Sequence, residues 1–156
     1  MVKVTKQTHL VMDAKERKIQ EALEIISAVD IPLGGLTDTR KARMALALLA
    51  VANIKPDGGW DDAEYWKEGG SWAPTTRDII EFCNEHYGTN ISSGSYDDVR
   101  RRDLLRLVQS GFVLSSAGKP NASPNDPTRG YAIPKESIDV LTSFGTSDWK
   151  SAVKNF

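Results

Sequence analysis

The chain has 156 residues, of which 40% are hydrophobic and 26% are charged, as is usual for one soluble globular domain. Its 20 basic and 21 acidic residues nearly cancel, which excludes a generally basic, histone-like protein but leaves room for a local basic face. A single cysteine, Cys83, excludes an internal disulfide and a cysteine-based zinc finger, and no apolar run is long enough to span a bilayer.

The first helical pattern begins at Asp13. Residues 1–12 are weakly patterned, so we interpret them as a flexible arm and residues 13–156 as one domain. The pattern ends at Pro32, and its apolar stripe consists of Ile19, Ala22, Leu23, Ile26 and Val29.

The next predicted helix, over residues 40–56, is apolar almost all round, with a cap at Asp38 or Thr39. Such a helix is typical of the centre of a domain. An acidic, glycine-rich loop follows over residues 57–73. Its tryptophans could stack on a flipped or single-stranded base, but we favour a role in pinning the loop to the core: Trp60, Trp66 and Trp72.

Two helices joined by a short polar turn come next. The first opens at Thr75 with capping-box spacing and ends before Gly88. The second begins at Ser93 or Ser95 and runs to Ser110.

A small β-hairpin follows, with strands at residues 112–114 and 131–133 and a long, proline-rich tip between them. Two further helical patterns end the chain, the last of them capped by Thr146 or Ser147. This order predicts a mostly α fold with a small β-hairpin: a winged helix-turn-helix with extra N-terminal and C-terminal helices.

The placement of positive charge favours double-stranded DNA as a partner. The second helix of the pair carries most of it, and it suits the major groove, which is wide enough to admit a helix. The alternative is a solvated face with ion pairs such as Asp98–Arg102. The cations of this helix and of the hairpin tip are Arg100, Arg101, Arg102, Arg106, Lys119 and Arg129.

The helical phase orients these arginines. On an ideal helix Arg102 and Arg106 lie opposite the buried side and Arg101 lies at the margin of that face. Arg100 then points partly inward. Val99 does not fit this phase, which indicates a local irregularity in the helix.

Four segments resemble the N-terminal helix-turn-helix domain of the BsuBI/PstI type II restriction endonucleases, and they occur in the family's order. They are ARMALALLAVANIKP (42–56), TTRDIIEFCNEHYG (75–88), DVRRRDLLRLVQSGFV (98–113) and LTSFGTSDWKSAVKNF (141–156). The resemblance implies a winged-helix DNA-binding module that precedes a nuclease domain. Members of this family cut a palindromic DNA site with a divalent metal, normally magnesium.

The resemblance also carries over to single positions. Arg100 and Arg101 match the paired arginines of the family's recognition helix, and Thr76 matches the start of its preceding helix. The family continues into a catalytic half, and this chain reaches Phe156 without one. Two interpretations stay open: the full-length protein continues into a C-terminal nuclease domain, which would hold the magnesium, or this chain is a small stand-alone relative. In either case we expect no cofactor in this chain.

The residues themselves support the expectation that this chain has no nuclease site. Metal-dependent restriction enzymes commonly need an aspartate and an acid-x-lysine triplet on neighbouring strands. The triplets here all lie in helical patterns: Asp13/Lys15, Glu16/Lys18 and Asp148/Lys150. The loop acids Asp61, Asp62 and Glu64 are interpreted as a solvated face rather than a cation site.

The predicted function is binding of double-stranded DNA, as the target-reading module of a type II restriction endonuclease in a restriction-modification system. The alternatives are a stand-alone winged-helix transcriptional regulator and a winged-helix protein-interaction module. We expect a cytoplasmic location and no membrane partner, since no secretory h-region follows Met1.

The predicted contacts fall into two groups, because phosphate contacts position a protein on DNA and base contacts specify the sequence. The predicted base contacts are Ser95, Arg100, Arg101 and Arg102. The predicted phosphate contacts are Thr76, Arg77, Arg106, Lys119 and Arg129.

Overall fold

The computed structural model describes residues 12–67, 72–117 and 130–156. Within them the chain is mostly helical, with one small antiparallel sheet, as predicted. The helices are α1 (Ala14–Ala28), α2 (Asp38–Val51), α3 (Thr76–His86), α4 (residues 96–109), α5 (Lys135–Thr142) and α6 (Trp149–Asn155). The strands are β1 (Leu114–Ala117) and β2 (Gly130–Ala132), and short 3₁₀ turns cover Trp60–Asp62 and Ser93–Ser95.

Helix α2 lies at the centre of the domain, as predicted, with an unbroken buried run from Met44 to Val51. Its cap is Thr37 rather than Asp38 or Thr39, because Thr37 is extended and its side chain accepts a hydrogen bond from the Arg40 backbone N–H at 3.1 Å. Helices α1, α3 and α4 all pack on α2, which agrees with its central position.

The same helix stops well before residue 56. Asn53 adopts a φ of 58°, and the Ile54 backbone N–H donates to the Leu49 carbonyl at 2.9 Å. A left-handed residue with a 6→1 hydrogen bond closes a helix, so residues 53–56 belong to the following turn.

Helix α3 begins with the capping box that the sequence predicts. The Thr75 hydroxyl accepts from the Asp78 backbone N–H at 3.2 Å, and the Asp78 carboxylate accepts from the Thr75 N–H at 3.0 Å. Its apolar face includes Cys83, which is buried. Burial raises the pKa of the Cys83 thiol to about 12, so the side chain stays protonated at neutral pH and behaves as a core residue.

Helix α4 is irregular where Val99 breaks the predicted phase. It begins at Tyr96, after the 3₁₀ turn, rather than at Ser93 or Ser95, and it consists of Tyr96–Asp98, a π-helical segment Val99–Leu104, and Leu105–Gln109. Val99 and Leu104 are five positions apart, the repeat of a π turn, so both can be buried on one side.

The end of α4 corrects the predicted first strand. Gly111 has a φ of 82°, and the backbone N–H groups of Phe112 and Val113 both donate to the Leu107 carbonyl at 3.1 Å. These two residues close the helix, so β1 begins at Leu114 rather than at residue 112.

The small sheet is tied to the segment that leads into α3. Strand β2 covers Gly130–Ala132 rather than residues 131–133, and the Tyr131 N–H donates to the Pro74 carbonyl at 2.9 Å. A Cβ atom on Gly130 would lie 2.5 Å from the Ala73 carbonyl oxygen, so only glycine permits this close approach.

The tryptophans of the acidic loop hold it against the core, as favoured from the sequence. The Trp60 indole N–H donates to Glu21 at 3.0 Å, and the Trp72 indole N–H donates to the Ala50 carbonyl at 2.7 Å. Trp66 is attached through its backbone N–H, which donates to the Ile133 carbonyl at 2.8 Å. Trp60 is buried, and the indole hydrogen bonds of Trp60 and Trp72 pin the loop to the core.

Helix α6 packs through its aromatic residues. The Trp149 ring lies edge-on to Phe144 at 5.1 Å, and Phe156 lies edge-on to Phe112 at 5.2 Å. The residue that precedes the helix is Asp148, not Thr146 or Ser147 as predicted. None of the helices in the described ranges is long and apolar enough to cross a membrane.

A buried carboxylate joins α4 to α2. The side chain of Asp103 is 2% exposed, and Arg43 Nε donates to its Oδ2 at 3.2 Å. Arg40 Nη1 lies 3.5 Å from the other oxygen. Burial raises the pKa of the Asp103 carboxyl, while the guanidinium groups of Arg43 and Arg40 act to lower it.

This arrangement generates a pH-dependent prediction. Arg43→Met should lower the free energy of unfolding by about 2 kcal/mol at neutral pH, because it leaves the buried carboxylate with Arg40 as its remaining partner. The loss should shrink as the pH falls through the raised pKa toward the ordinary value of 3.8, since the folded state then takes up the proton that removes the charge.

Urea unfolding of both proteins at a series of pH values measures this difference. The matched control is Arg102→Met, which breaks an exposed pair and should change the free energy of unfolding by less than about 1 kcal/mol. A loss for Arg43→Met that stays constant with pH would contradict the assignment.

Candidate nucleic-acid interface

Helices α3 and α4 form a helix-turn-helix whose turn is organised by one side chain. The Asn84 amide oxygen accepts from the Ile91 N–H at 2.8 Å and from the Thr89 hydroxyl at 2.6 Å. Its nitrogen donates to the Ile91 carbonyl at 2.9 Å. These bonds fix the path of the chain from α3 into α4, and sequence reasoning did not single out Asn84 because a lone asparagine has no spacing signal.

The π segment of α4 presents arginines to solvent. The side chains of Arg101 and Arg102 are 69% and 61% exposed, whereas Arg100 is 28% exposed. The partly inward direction predicted for Arg100 agrees with this. Arg101, placed at the margin on an ideal helix, is the most exposed of the three because the π turn changes the phase.

Carboxylates of the first turn of α4 hold these arginines. Asp97 accepts from Arg100 at 2.6 Å and lies 3.0 Å from Arg101 Nε. The hydrogen bond from Arg100 is the main reason that the pKa of Asp97 lies below its ordinary value. The predicted pair of Asp98 with Arg102 is present at 3.0 Å.

Asp98 also connects α4 to α2. Its Oδ2 accepts from Arg40 Nη1 at 3.2 Å, while its Oδ1 pairs with Arg102. Arg40 was not among the predicted site residues, because it is separated from Asp98 by 58 positions and only the packing of α2 on α4 brings them together.

The arginines of α4 border an open cleft of about 290 Å³ at the contact with α2. Three of the predicted DNA contacts line this cleft together: Arg101, Arg102 and Arg106. Its lining residues are Leu36, Arg40, Arg101, Arg102, Leu105 and Arg106. Exposed guanidinium groups beside leucines offer both charge and apolar contact to one ligand surface.

The remaining described candidates lie around the start of each helix and at the end of α4. Thr76 is buried as the first residue of α3, and Ser95 is half-buried at the end of the 3₁₀ turn. The Arg77 guanidinium lies 5.1 Å from the centre of the Tyr96 ring. Arg106 donates to the Pro32 carbonyl at 2.5 Å.

Two predicted contacts, Lys119 and Arg129, lie outside the described residues. Sequence reasoning also missed Tyr96, an aromatic side chain that is 38% exposed at the start of α4. Its position at the start of the second helix of the helix-turn-helix is the signal that could have identified it.

The magnesium ion that the resemblance implies needs several oxygen ligands close together. Across residues 12–67, 72–117 and 130–156, no three histidine, cysteine, aspartate or glutamate side chains are grouped so as to hold a metal ion. The loop acids instead make local contacts: Asp62 accepts from the Gly59 N–H at 3.3 Å, and Glu64 accepts from Asn53. These residues do not fit a magnesium site.

The packed pair α3–α4, with its exposed arginines, defines the class as a helix-turn-helix domain. The family model described as "BsuBI/PstI restriction endonuclease HTH domain" matches residues 16–156, so the chain belongs to that family and the resemblance seen in the sequence is confirmed.

Two relatives extend the comparison. The type II restriction enzyme BsuBI of Bacillus subtilis is 27% identical over 138 residues, which cover 88% of this chain and 40% of that protein. The structure of SdaI restriction endonuclease is similar in fold, with a TM-score of 0.70 and 23% sequence identity. The match covers 86% of this chain and 39% of the SdaI chain. The chain thus spans about two fifths of the length of these relatives.

Proposed function

We propose that this chain binds double-stranded DNA as a winged-helix module and reads the target sequence for a type II restriction endonuclease. The observation that carries the proposal is the exposure of the Arg101 and Arg102 side chains on the second helix of the helix-turn-helix. Membership of a family of restriction endonuclease HTH domains supports the same function.

In this proposal α4 enters the major groove. An arginine presents a planar fork that matches the O6 and N7 acceptors of guanine, and such a bidentate contact contributes about 1–3 kcal/mol of discrimination. The pairs of Arg101 and Arg102 with carboxylates are exposed to water, which screens them, so they contribute little to the stability of the fold. The same exposure leaves both guanidinium groups accessible to DNA while each stays next to its carboxylate.

The phosphate contacts surround this helix. Arg77 lies at the start of α3 and Arg106 near the end of α4, so the two flank the exposed arginines along the helix pair. We propose that the hairpin that follows α4 acts as the wing, and the sequence prediction that Lys119 and Arg129 contact phosphates belongs to this wing. Cationic contacts of this kind fix the register on DNA and carry no sequence information.

The chemical step belongs to another part of the full-length protein. We propose that a nuclease domain follows this module, as the length of the relatives supports, and that it holds the magnesium. The role of this chain is to bind the DNA in the cytoplasm and to orient the target for that domain.

The first test is salt-dependent binding of the 156-residue chain to a randomised duplex library. Selection should enrich one sequence, and with about five cationic contacts the logarithm of the binding constant should fall against the logarithm of the salt concentration with a slope of about −4 to −5. A slope near zero, or no enrichment, would favour the protein-interaction alternative.

The second test separates base contacts from phosphate contacts. Arg101→Ala should cost about 1–3 kcal/mol of binding free energy on the enriched duplex and far less on a scrambled one. The matched control is Arg101→Lys, which keeps the charge and loses the bidentate fork, so it should lose the same discrimination with a smaller change in salt slope.

Lys119→Ala supplies the contrast for a phosphate contact. It should weaken binding about equally on both duplexes and reduce the salt slope by about 1. Equal weakening of both duplexes by Arg101→Ala would instead make α4 a phosphate anchor and place sequence reading outside this helix.

A further inference from the structure

Asp97 links two arginines that differ in exposure. Its Oδ1 accepts from Arg100 Nη2 at 2.6 Å, and its Oδ2 lies 3.0 Å from Arg101 Nε. The inner partner, Arg100, is 28% exposed, and the outer partner, Arg101, is 69% exposed. Each carboxylate oxygen thus serves a different guanidinium group, and the inner arginine fixes the carboxylate that contacts the outer one.

The 3.0 Å contact between Asp97 Oδ2 and Arg101 is made through Nε rather than through a terminal nitrogen, Nη1 or Nη2. Those two nitrogens form the fork that can donate to the O6 and N7 atoms of guanine. The Asp98–Arg102 pair repeats the same i, i+4 contact through Nε at 3.0 Å. In both pairs the carboxylate contacts Nε, so it restrains the exposed arginine at that atom.

We propose that Asp97 is a positioning residue for sequence reading, holding the Arg101 guanidinium in the orientation that contacts a base edge. This inference rests on the proposed function. A flexible arginine loses side-chain freedom when it binds, and an arginine that is already restrained loses less.

A competing account makes Asp97 a negative charge near the helix N-terminus and nothing more. An acid at that position interacts favourably with the helix dipole, and it repels DNA phosphates. The two accounts predict opposite changes in DNA affinity when the charge of Asp97 is removed. Removing a repulsive charge strengthens binding to every duplex, whereas removing a positioning group weakens binding to the preferred sequence.

The decisive variant is Asp97→Asn, which keeps the size of the side chain and removes its charge. Using the enriched duplex and its scrambled version, we expect binding to the enriched duplex to weaken about tenfold. Binding to the scrambled duplex should stay the same or become tighter, with a steeper salt slope, because one negative charge has left the DNA-facing helix.

The matched control is Glu136→Gln, which removes one exposed carboxylate from the first turn of α5. It should change binding to both duplexes by the same small factor. Thermal unfolding followed by circular dichroism establishes that both variants are folded at the temperature of the titration.

A double-mutant cycle assigns the effect to Arg101. In the Arg101→Ala background, Asp97→Asn should no longer weaken binding to the enriched duplex, because the side chain that it positions is gone. A tenfold loss that persists in this background overturns the inference, and so does equal tightening on both duplexes by Asp97→Asn alone. If selection with the wild-type chain enriches no duplex, the proposed function itself is overturned, and the inference falls with it.

Discussion

The placement of α4 depends on the buried contact of Asp103 with Arg40 and Arg43. A carboxylate at the apolar junction of two helices is stable only when cations surround it, and both of its cations come from α2. A different rotation of α4 about its own axis would leave the carboxylate without partners. The contact therefore selects one rotation, and that rotation turns Arg101 and Arg102 toward solvent.

Arg40 extends this constraint to the surface. It contacts Asp103 on the inside and Asp98 on the outside, so one side chain of α2 touches both a buried and a half-exposed carboxylate of α4. Asp98 in turn contacts Arg102. A continuous set of charged contacts thus runs from the core to the candidate interface.

Much of the architecture could be predicted because it follows from local rules. The nearly all-apolar sequence of α2, the capping box at Thr75 and the glycine after α4 each act within a few residues. The errors at element ends also have local causes: Asn53 in a left-handed conformation shortens α2, and Phe112 closes a helix instead of starting a strand.

The candidate site was less predictable because its geometry depends on contacts distant in sequence. The arginines of α4 were visible as a cluster, but their exposure depends on a π segment that a regular 3.6-residue period cannot represent. Arg40 becomes part of the site through packing alone, and the Asn84 contacts depend on a turn conformation that no spacing encodes. The contacts assigned to bases and phosphates stay predictions.

The π segment of α4 also has a consequence for how the length of such a helix can change between related sequences. A π turn holds one residue more than an α-helical turn, so it behaves as a single-residue insertion between Val99 and Leu104. Deleting one residue there would restore a regular helix in which Val99 and Leu104, then four positions apart, still lie on the same buried side. The exposed side of the segment would carry one residue fewer while the buried residues kept their places, so a change in helix length would alter which arginines face solvent without any substitution.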